Sequence, residues 1–295
     1  MTAQPIHYIV PMVTPLLPCG EIDYPSCERL LKHFVAGGVD GVLLLGSIGE
    51  FFGLTREQKH KLIPFVRERL ENRELIVGTT DLVFSEMAAL SHYALEQGAD
   101  GVMILPPYYF HFTEESLVEY YGQLAREIPG NVYLYNFPDR TGYDISPAVV
   151  RALAETYPNI VGIKDSVSGV DHTREIIKQV RPIRPDFRIY SGFDDNFVHN
   201  ILCGGNGCIA GIANLYPELT ASWAEAARNG DLEKMRQIQR SVDALMDIYS
   251  VGKPFVPYIK EALVQLGILR HNTATKPMPQ VTEAQREKLR AILQR

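Results

Sequence analysis

The chain has 295 residues, 46% of them apolar, and a formal net charge of −6. That length buries either one α/β barrel or two smaller domains, and no run of about 18 apolar residues offers a membrane span. An acidic balance with no basic cluster argues against nucleic acid as a partner. In chain order, a first strand is read at residues 6–10. A second lies in Gly38-Val39-Asp40-Gly41-Val42-Leu43-Leu44-Leu45-Gly46. Thr55-Arg56-Glu57-Gln58 has the form of a capping box that starts a helix over 56–71. A third strand follows at 75–77. The fourth, in Gly98-Ala99-Asp100-Gly101-Val102-Met103-Ile104-Leu105-Pro106, echoes the second at a spacing of about two βα units. A helix over 114–128 leads to a strand at 132–135, and a helix over 147–156 leads to a strand at 160–164. The last two strands are read at 188–191 and 208–210.

Eight alternating βα units favour a closed (β/α)8 barrel over an open doubly wound sheet. The glycine-rich segments 46–49 and 204–207 lack G-x-G-x-x-G spacing, which speaks against a dinucleotide fold. Beyond about residue 230 the strand pattern stops, and 231–251, 254–266 and 282–294 read as helices. The expected organisation is a barrel carrying the active site over 1–230 and a C-terminal helical region over 231–295. Cys19, Cys27, Cys203 and Cys208 show no metal-ligand spacing, and Met1-Thr2-Ala3-Gln4-Pro5 lacks the basic-then-apolar pattern of a signal peptide. A reducing, cytoplasmic setting is expected.

In an α/β barrel the chemistry sits at the C-terminal ends of the strands. Those ends carry Gly46-Ser47-Ile48-Gly49-Glu50, Pro106-Pro107-Tyr108-Tyr109, Tyr135-Asn136-Phe137-Pro138 running into Asp139-Arg140-Thr141-Gly142, Lys164-Asp165, and Ser191-Gly192-Phe193-Asp194-Asp195. Lys164 stands out because it closes Asn159-Ile160-Val161-Gly162-Ile163, the pattern of a strand buried on both faces. It is either a cation that snorkels from a strand end or an amine whose burial disfavours the ammonium form and frees it to attack a carbonyl. An amine, several hydroxyls, an arginine and a glycine-rich loop converging on one mouth suit carbonyl chemistry through a Schiff base.

The set G-S-I-G-E, P-Y-Y, Y-N-F-P-x-R-T-G and G-I-K-D, in this order and spacing, resembles the pyruvate-dependent class I lyases related to dihydrodipicolinate synthase and N-acetylneuraminate lyase. The resemblance spans nearly the whole chain. It implies a (β/α)8 barrel with a helical C-terminal region, assembled as a homotetramer of two tight dimers, with no metal or organic cofactor. It also implies that Lys164 forms an imine with pyruvate or another 2-oxo acid. Tyr135 then moves protons, and Ser47 and Tyr109 link it to solvent, with Tyr109 contributed across the dimer interface. The amides of Ser47 and Ile48 hold the pyruvate carboxylate, and the Ile209 carbonyl lies near the keto acid.

Other residues are read more plainly. Asp165 orients the loop after Lys164 or caps the next helix; Asp194 and Asp195 either cap a helix or contact substrate hydroxyls. Glu50 is expected to be structural, and the histidines are scattered and receive no role. Ile48 replaces the second threonine usual in the synthases. Together with Phe193, Lys253-Pro254-Phe255 and Ile259-Lys260-Glu261-Ala262, it resembles the bacterial 2-keto-3-deoxygluconate aldolase-like branch. Arg140 points instead to a synthase, because it matches the arginine that holds the carboxylate of aspartate semialdehyde there. Phe51, Phe52, Arg56 and Leu82 stand at the positions of the synthases' lysine-inhibitor pocket, so feedback inhibition by lysine is not expected. The resulting expectation is a lyase that cleaves a 2-keto-3-deoxy sugar acid to pyruvate and an aldehyde. The alternatives are a dihydrodipicolinate synthase, an N-acetylneuraminate-type lyase, a sugar acid dehydratase, or a keto-acid-binding regulator on the same barrel.

Overall fold

The structure, a computed structural model, describes residues 5–294; most of the N-terminal segment read above as lacking a signal pattern, residues 1–4, lies outside them. Among the described residues the chain forms eight strands: β1 (His7–Pro11), β2 (Gly41–Leu44), β3 (Glu74–Gly78), β4 (Gly101–Ile104), β5 (Val132–Asn136), β6 (Ile160–Asp165), β7 (Arg188–Ser191) and β8 (Gly207–Ile209). They are joined in sequence order as a closed parallel barrel with helices between the strands, the expected (β/α)8 class. Where explicit strand bounds are read from the sequence, the ends are displaced by no more than one residue. The reason is local: strands covered on both faces need aliphatic residues at nearly every position, and Val102, Leu134, Ile163 and Ile189 are all 0% exposed.

The chain groups into two compact units. Among the described residues the first comprises 5–7 and 75–210 and so holds most of β3 and all of β4 to β8. Its interior is fitted around Tyr133, whose ring occupies space left by two glycines: a Cβ on Gly162 would lie 2.8 Å from it and one on Gly101 3.0 Å. Arg188 Nη1 donates to the Tyr133 hydroxyl at 3.0 Å, which satisfies a buried phenol.

The second unit comprises, among the described residues, 8–74 and 211–294, so β2 and most of β1 cluster with the C-terminal helices. Asn214 stitches the two parts of this unit, accepting from the Val13 N–H at 3.1 Å and donating to the Pro11 carbonyl at 2.9 Å. Trp223 is 0% exposed and stacks on Tyr8 with ring centroids 6.3 Å apart. Thr55 and Gln58 form both halves of the capping box on helix Arg56–Arg67, with bonds of 3.2 and 3.0 Å. That helix ends at Arg67, short of the expected 71, and Glu71 beyond it takes φ 53, a left-handed conformation that a right-handed helix excludes. The C-terminal helices are Leu232–Leu245, which passes into a 3-10 turn at Met246–Ser250, then Val256–Gln265 and Glu283–Leu293. No described helix is long and apolar enough to cross a membrane.

Candidate active site

Adjacent strands of the first unit bring Lys164 and Tyr135 together. The parallel register pairs Tyr135 with Lys164 and Asn136 with Asp165. Because side chains alternate along a strand, the first pair faces one side of the sheet and the second pair the other. Lys164 Nζ donates to the Tyr135 hydroxyl at 3.3 Å and lies 4.6 Å from its ring centroid. Lys164 is 5% exposed and Tyr135 4%. A buried primary amine within hydrogen-bond reach of a phenol can attack a carbonyl and have a proton delivered to the oxygen on that carbon.

Behind this pair, Asp165 receives three side chains. Asn136 Nδ2 donates to it at 2.8 Å, Thr173 Oγ1 at 2.5 Å and His172 Nδ1 at 3.0 Å. Gly169, not Asp165, stands at the N-cap of helix Val170–Val180, so Asp165 orients that helix through side chains further along its first turns. His172 also meets the Asp144 carboxylate through Nε2 at 3.2 Å. No role is assigned to this histidine from sequence, where a lone histidine on an amphipathic helix carries no signal of its partners. Burial pulls its imidazolium down, but hydrogen bonding and charge from Asp165 and Asp144 outweigh burial and raise it above the ordinary 6.5. A raised value means stabilisation that is fully present below about pH 6.5 and lost as pH rises through the folded-state value. The gap in urea midpoint between wild type and His172→Gln is therefore expected to be widest near about pH 6 and to close at alkaline pH. A gap that widened with pH would contradict this assignment.

Aromatic rings form a wall in the same unit. Phe137 lies 6.0 Å from the Tyr135 ring and meets Phe193 edge to face at 6.3 Å. The Arg140 guanidinium sits over Phe137 at 5.0 Å, on the short helix Pro138–Thr141. Phe193 is held by its backbone: its N–H donates to Ser191 Oγ at 3.2 Å, and its carbonyl accepts from Cys208 Sγ at 3.2 Å. Ile209 ends β8 at 0% exposure. Asp194 is 2% exposed and opens a 3-10 turn, Asp194–Asn196; Asn196, not either aspartate, occupies the N-cap of helix Phe197–Leu202. Tyr109 is placed differently, 81% exposed and edge to face with Phe110 at 5.0 Å.

Ser166, just past the end of β6, has a hydroxyl that is buried and without a hydrogen-bond partner among the described residues. Gly192 packs against it with no room for a Cβ. A buried unsatisfied hydroxyl is costly unless a water or ligand completes it. Its only signal in the sequence is its position, two residues past the lysine.

In the second unit, Ser47 and Ile48 lie in the turn that follows β2. Gly49 is required there, since a Cβ would lie 2.9 Å from the Met12 carbonyl oxygen, and Thr14 Oγ1 donates to the Gly49 carbonyl at 2.7 Å. Glu50, at φ 59, donates its N–H to the Ser47 carbonyl at 3.2 Å. Its carboxylate is buried against Lys260 and Thr275, a structural arrangement.

The chain matches the dihydrodipicolinate synthetase family over residues 4–295. It is 33% identical to the putative 2-dehydro-3-deoxy-D-gluconate aldolase YagE of Escherichia coli K12, over 97% of this chain and 95% of that one. It is 35% identical to a 4-hydroxy-tetrahydrodipicolinate synthase of Kosmotoga olearia, over 93% of this chain and 92% of that one. The crystal structure of YagE in complex with pyruvate superposes with a TM-score of 0.94, covering 98% of this chain and 97% of that chain. Fold, strand-end motifs and full-length similarity thus agree: the chain belongs to the dihydrodipicolinate synthetase family and is a lyase.

Proposed function

We propose that the protein is a Schiff-base-forming class I aldolase that cleaves a 2-keto-3-deoxy sugar acid to pyruvate and an aldehyde. The observation that carries this reading is the buried Lys164 Nζ at 3.3 Å from the Tyr135 hydroxyl. In the proposed cycle Lys164 Nζ adds to the C2 carbonyl of the keto acid. Tyr135 gives its proton to the departing oxygen, and water leaves as the protonated imine forms. The Tyr135 oxyanion then takes the proton of the C4 hydroxyl as the C3–C4 bond breaks. That electron pair flows into the imine to give an enamine, and the aldehyde departs. Protonation at C3 and addition of water at C2 release pyruvate and restore the amine.

The Ser47 and Ile48 amides, on a glycine-flanked turn, are assigned the keto-acid carboxylate, and the Ile209 carbonyl a place beside the keto acid. Asp194 and the unsatisfied Ser166 hydroxyl suit hydroxyls of the sugar-acid tail. Tyr109, so exposed in the single chain, is assigned with Ser47 to the proton relay, supplied by a second copy in a homotetramer of two tight dimers. Residues 1–230 act as the catalytic barrel and 231–295 as its helical extension. The free cysteines suit a cytoplasmic setting.

Ile48, 6% exposed and without a hydroxyl, favours the aldolase, as does the similarity to YagE. Arg140 favours a second reading, a synthase acting on aspartate semialdehyde, because a guanidinium held over the Phe137 ring suits a carboxylate. Pyruvate release coupled to lactate dehydrogenase is expected to show turnover of 2-keto-3-deoxy hexonates or pentonates. Turnover only in a coupled assay with pyruvate and aspartate semialdehyde would select the second reading.

A further inference from the structure

Glu50 and Lys260 form an ion pair in which both side chains are 0% exposed. Such a pair costs desolvation at both ends, and its attraction repays this only with good geometry and additional hydrogen bonds. Those bonds are present. Glu50 Oε2 accepts from the Thr275 N–H at 2.6 Å and from the Thr275 hydroxyl at 2.9 Å, and Lys260 Nζ donates to the Thr273 carbonyl at 2.8 Å. Burial holds the Lys260 ammonium below its ordinary range, with the Glu50 charge opposing that shift.

An apolar pair of similar volume would hold the two segments at least as firmly. What the ion pair adds is direction, because a carboxylate with several fixed partners cannot rotate or slide. The segment it fixes is the Ser47–Glu50 turn. Glu50 holds φ 59, an unfavourable conformation for a residue with a side chain. Its N–H reaches back to the Ser47 carbonyl, and its own carbonyl accepts from the Gly53 N–H at 2.9 Å. Gly53 in turn packs against Thr275 with no room for a Cβ. Ile48 and Tyr249 both pack close to Gly211, where an added Cβ would meet the Tyr249 hydroxyl and lie 3.3 Å from Ile48 Cδ1. Lys260, Thr273, Thr275 and Tyr249 all belong to the C-terminal region.

We infer that the Glu50–Lys260 pair is a positioning device through which the C-terminal helical region sets the direction of the Ser47 and Ile48 amides toward a keto-acid carboxylate. The inference rests on the role proposed above for that turn. Neither residue is assigned a contact with substrate; both act through the turn backbone.

The test compares the full-length wild type with Glu50→Gln, Lys260→Met and the double variant. Borohydride trapping is titrated with pyruvate and, in parallel, with hydroxyacetone, a ketone that has no carboxylate. Thermal midpoints are measured on the same samples. The single variants are expected to need roughly 10- to 100-fold more pyruvate for half-maximal trapping, with the hydroxyacetone curve shifted by no more than about twofold. The double variant removes both buried charges, so its thermal midpoint is expected to recover while its pyruvate affinity stays weak. Recovery of both would overturn the inference, since the pair would then serve stability alone. Equal weakening toward both ketones would overturn it as well. Should the single variants fail to fold, Glu50→Asp keeps the charge but draws the turn back by one methylene; unchanged pyruvate trapping in it would overturn the inference. A wild type that traps no pyruvate would instead refute the proposed function, so the two failures are told apart.

Discussion

Lys164→Ala is expected to abolish the mass gain that wild-type protein shows after incubation with pyruvate and reduction with borohydride. The chain has other lysines, but a nucleophilic amine needs shielding from water and a proton carrier beside it. Lys164 meets both conditions, at 5% exposure and 3.3 Å from a phenol. Lys260 is also buried, yet its Nζ is taken up by Glu50 and the Thr273 carbonyl, so its lone pair has no path to a carbonyl substrate. Lys164→Ala should therefore lose both adduct and turnover, while Lys260→Met keeps an adduct at high pyruvate. An adduct of undiminished yield in Lys164→Ala would show that Lys164 is a snorkelling cation after all and would remove the mechanism proposed for this protein.

Tyr135→Phe separates proton transfer from binding. The ring stays in its place 6.0 Å from Phe137, and only the hydroxyl is lost. A positioned general acid–base is worth about 10²- to 10⁴-fold, so kcat for retro-aldol cleavage is expected to fall by that factor, or roughly 3–5 kcal/mol of barrier. The borohydride adduct should still form at saturating pyruvate, only more slowly. A kcat within about threefold of wild type, well short of the acid–base range, would mean that another group carries the proton. Loss of the adduct with turnover intact is not compatible with the scheme at all.

These two residues were visible in the sequence to different degrees. Lys164 is conspicuous because a cation closing the run from Asn159 to Ile163 breaks a local pattern, and local patterns are what a sequence displays. Tyr135 closes its own apolar strand no less plainly, but that it faces Lys164 follows from register between neighbouring strands. Its role was assigned through family resemblance. The helix start at Thr55 is also local, written as a capping box within four residues. By contrast, the helix expected over 231–251 changes to a 3-10 turn at Met246–Ser250. A polar-apolar period near 3.6 does not resolve a change of pitch in its last turn.

The sequence by itself determined the alternation of strands and helices, the closed barrel, the family, and which strand ends carry reactive groups. The alternation is encoded in short windows, where burial on both faces or on one stripe dictates residue type, and the family in the resemblance of the strand-end motifs. Only the tertiary structure decided how the reactive groups are held. His172 bridges Asp144 and Asp165 because strand alternation turns Asp165 away from Lys164 and toward a helix. Ser166 has no hydrogen-bond partner among the described residues, and Gly192 packs beside it. Glu50 meets Lys260 because the C-terminal helices pack with the turn after β2. Such pairings join residues that no local period relates, and their free energy depends on burial that only packing creates.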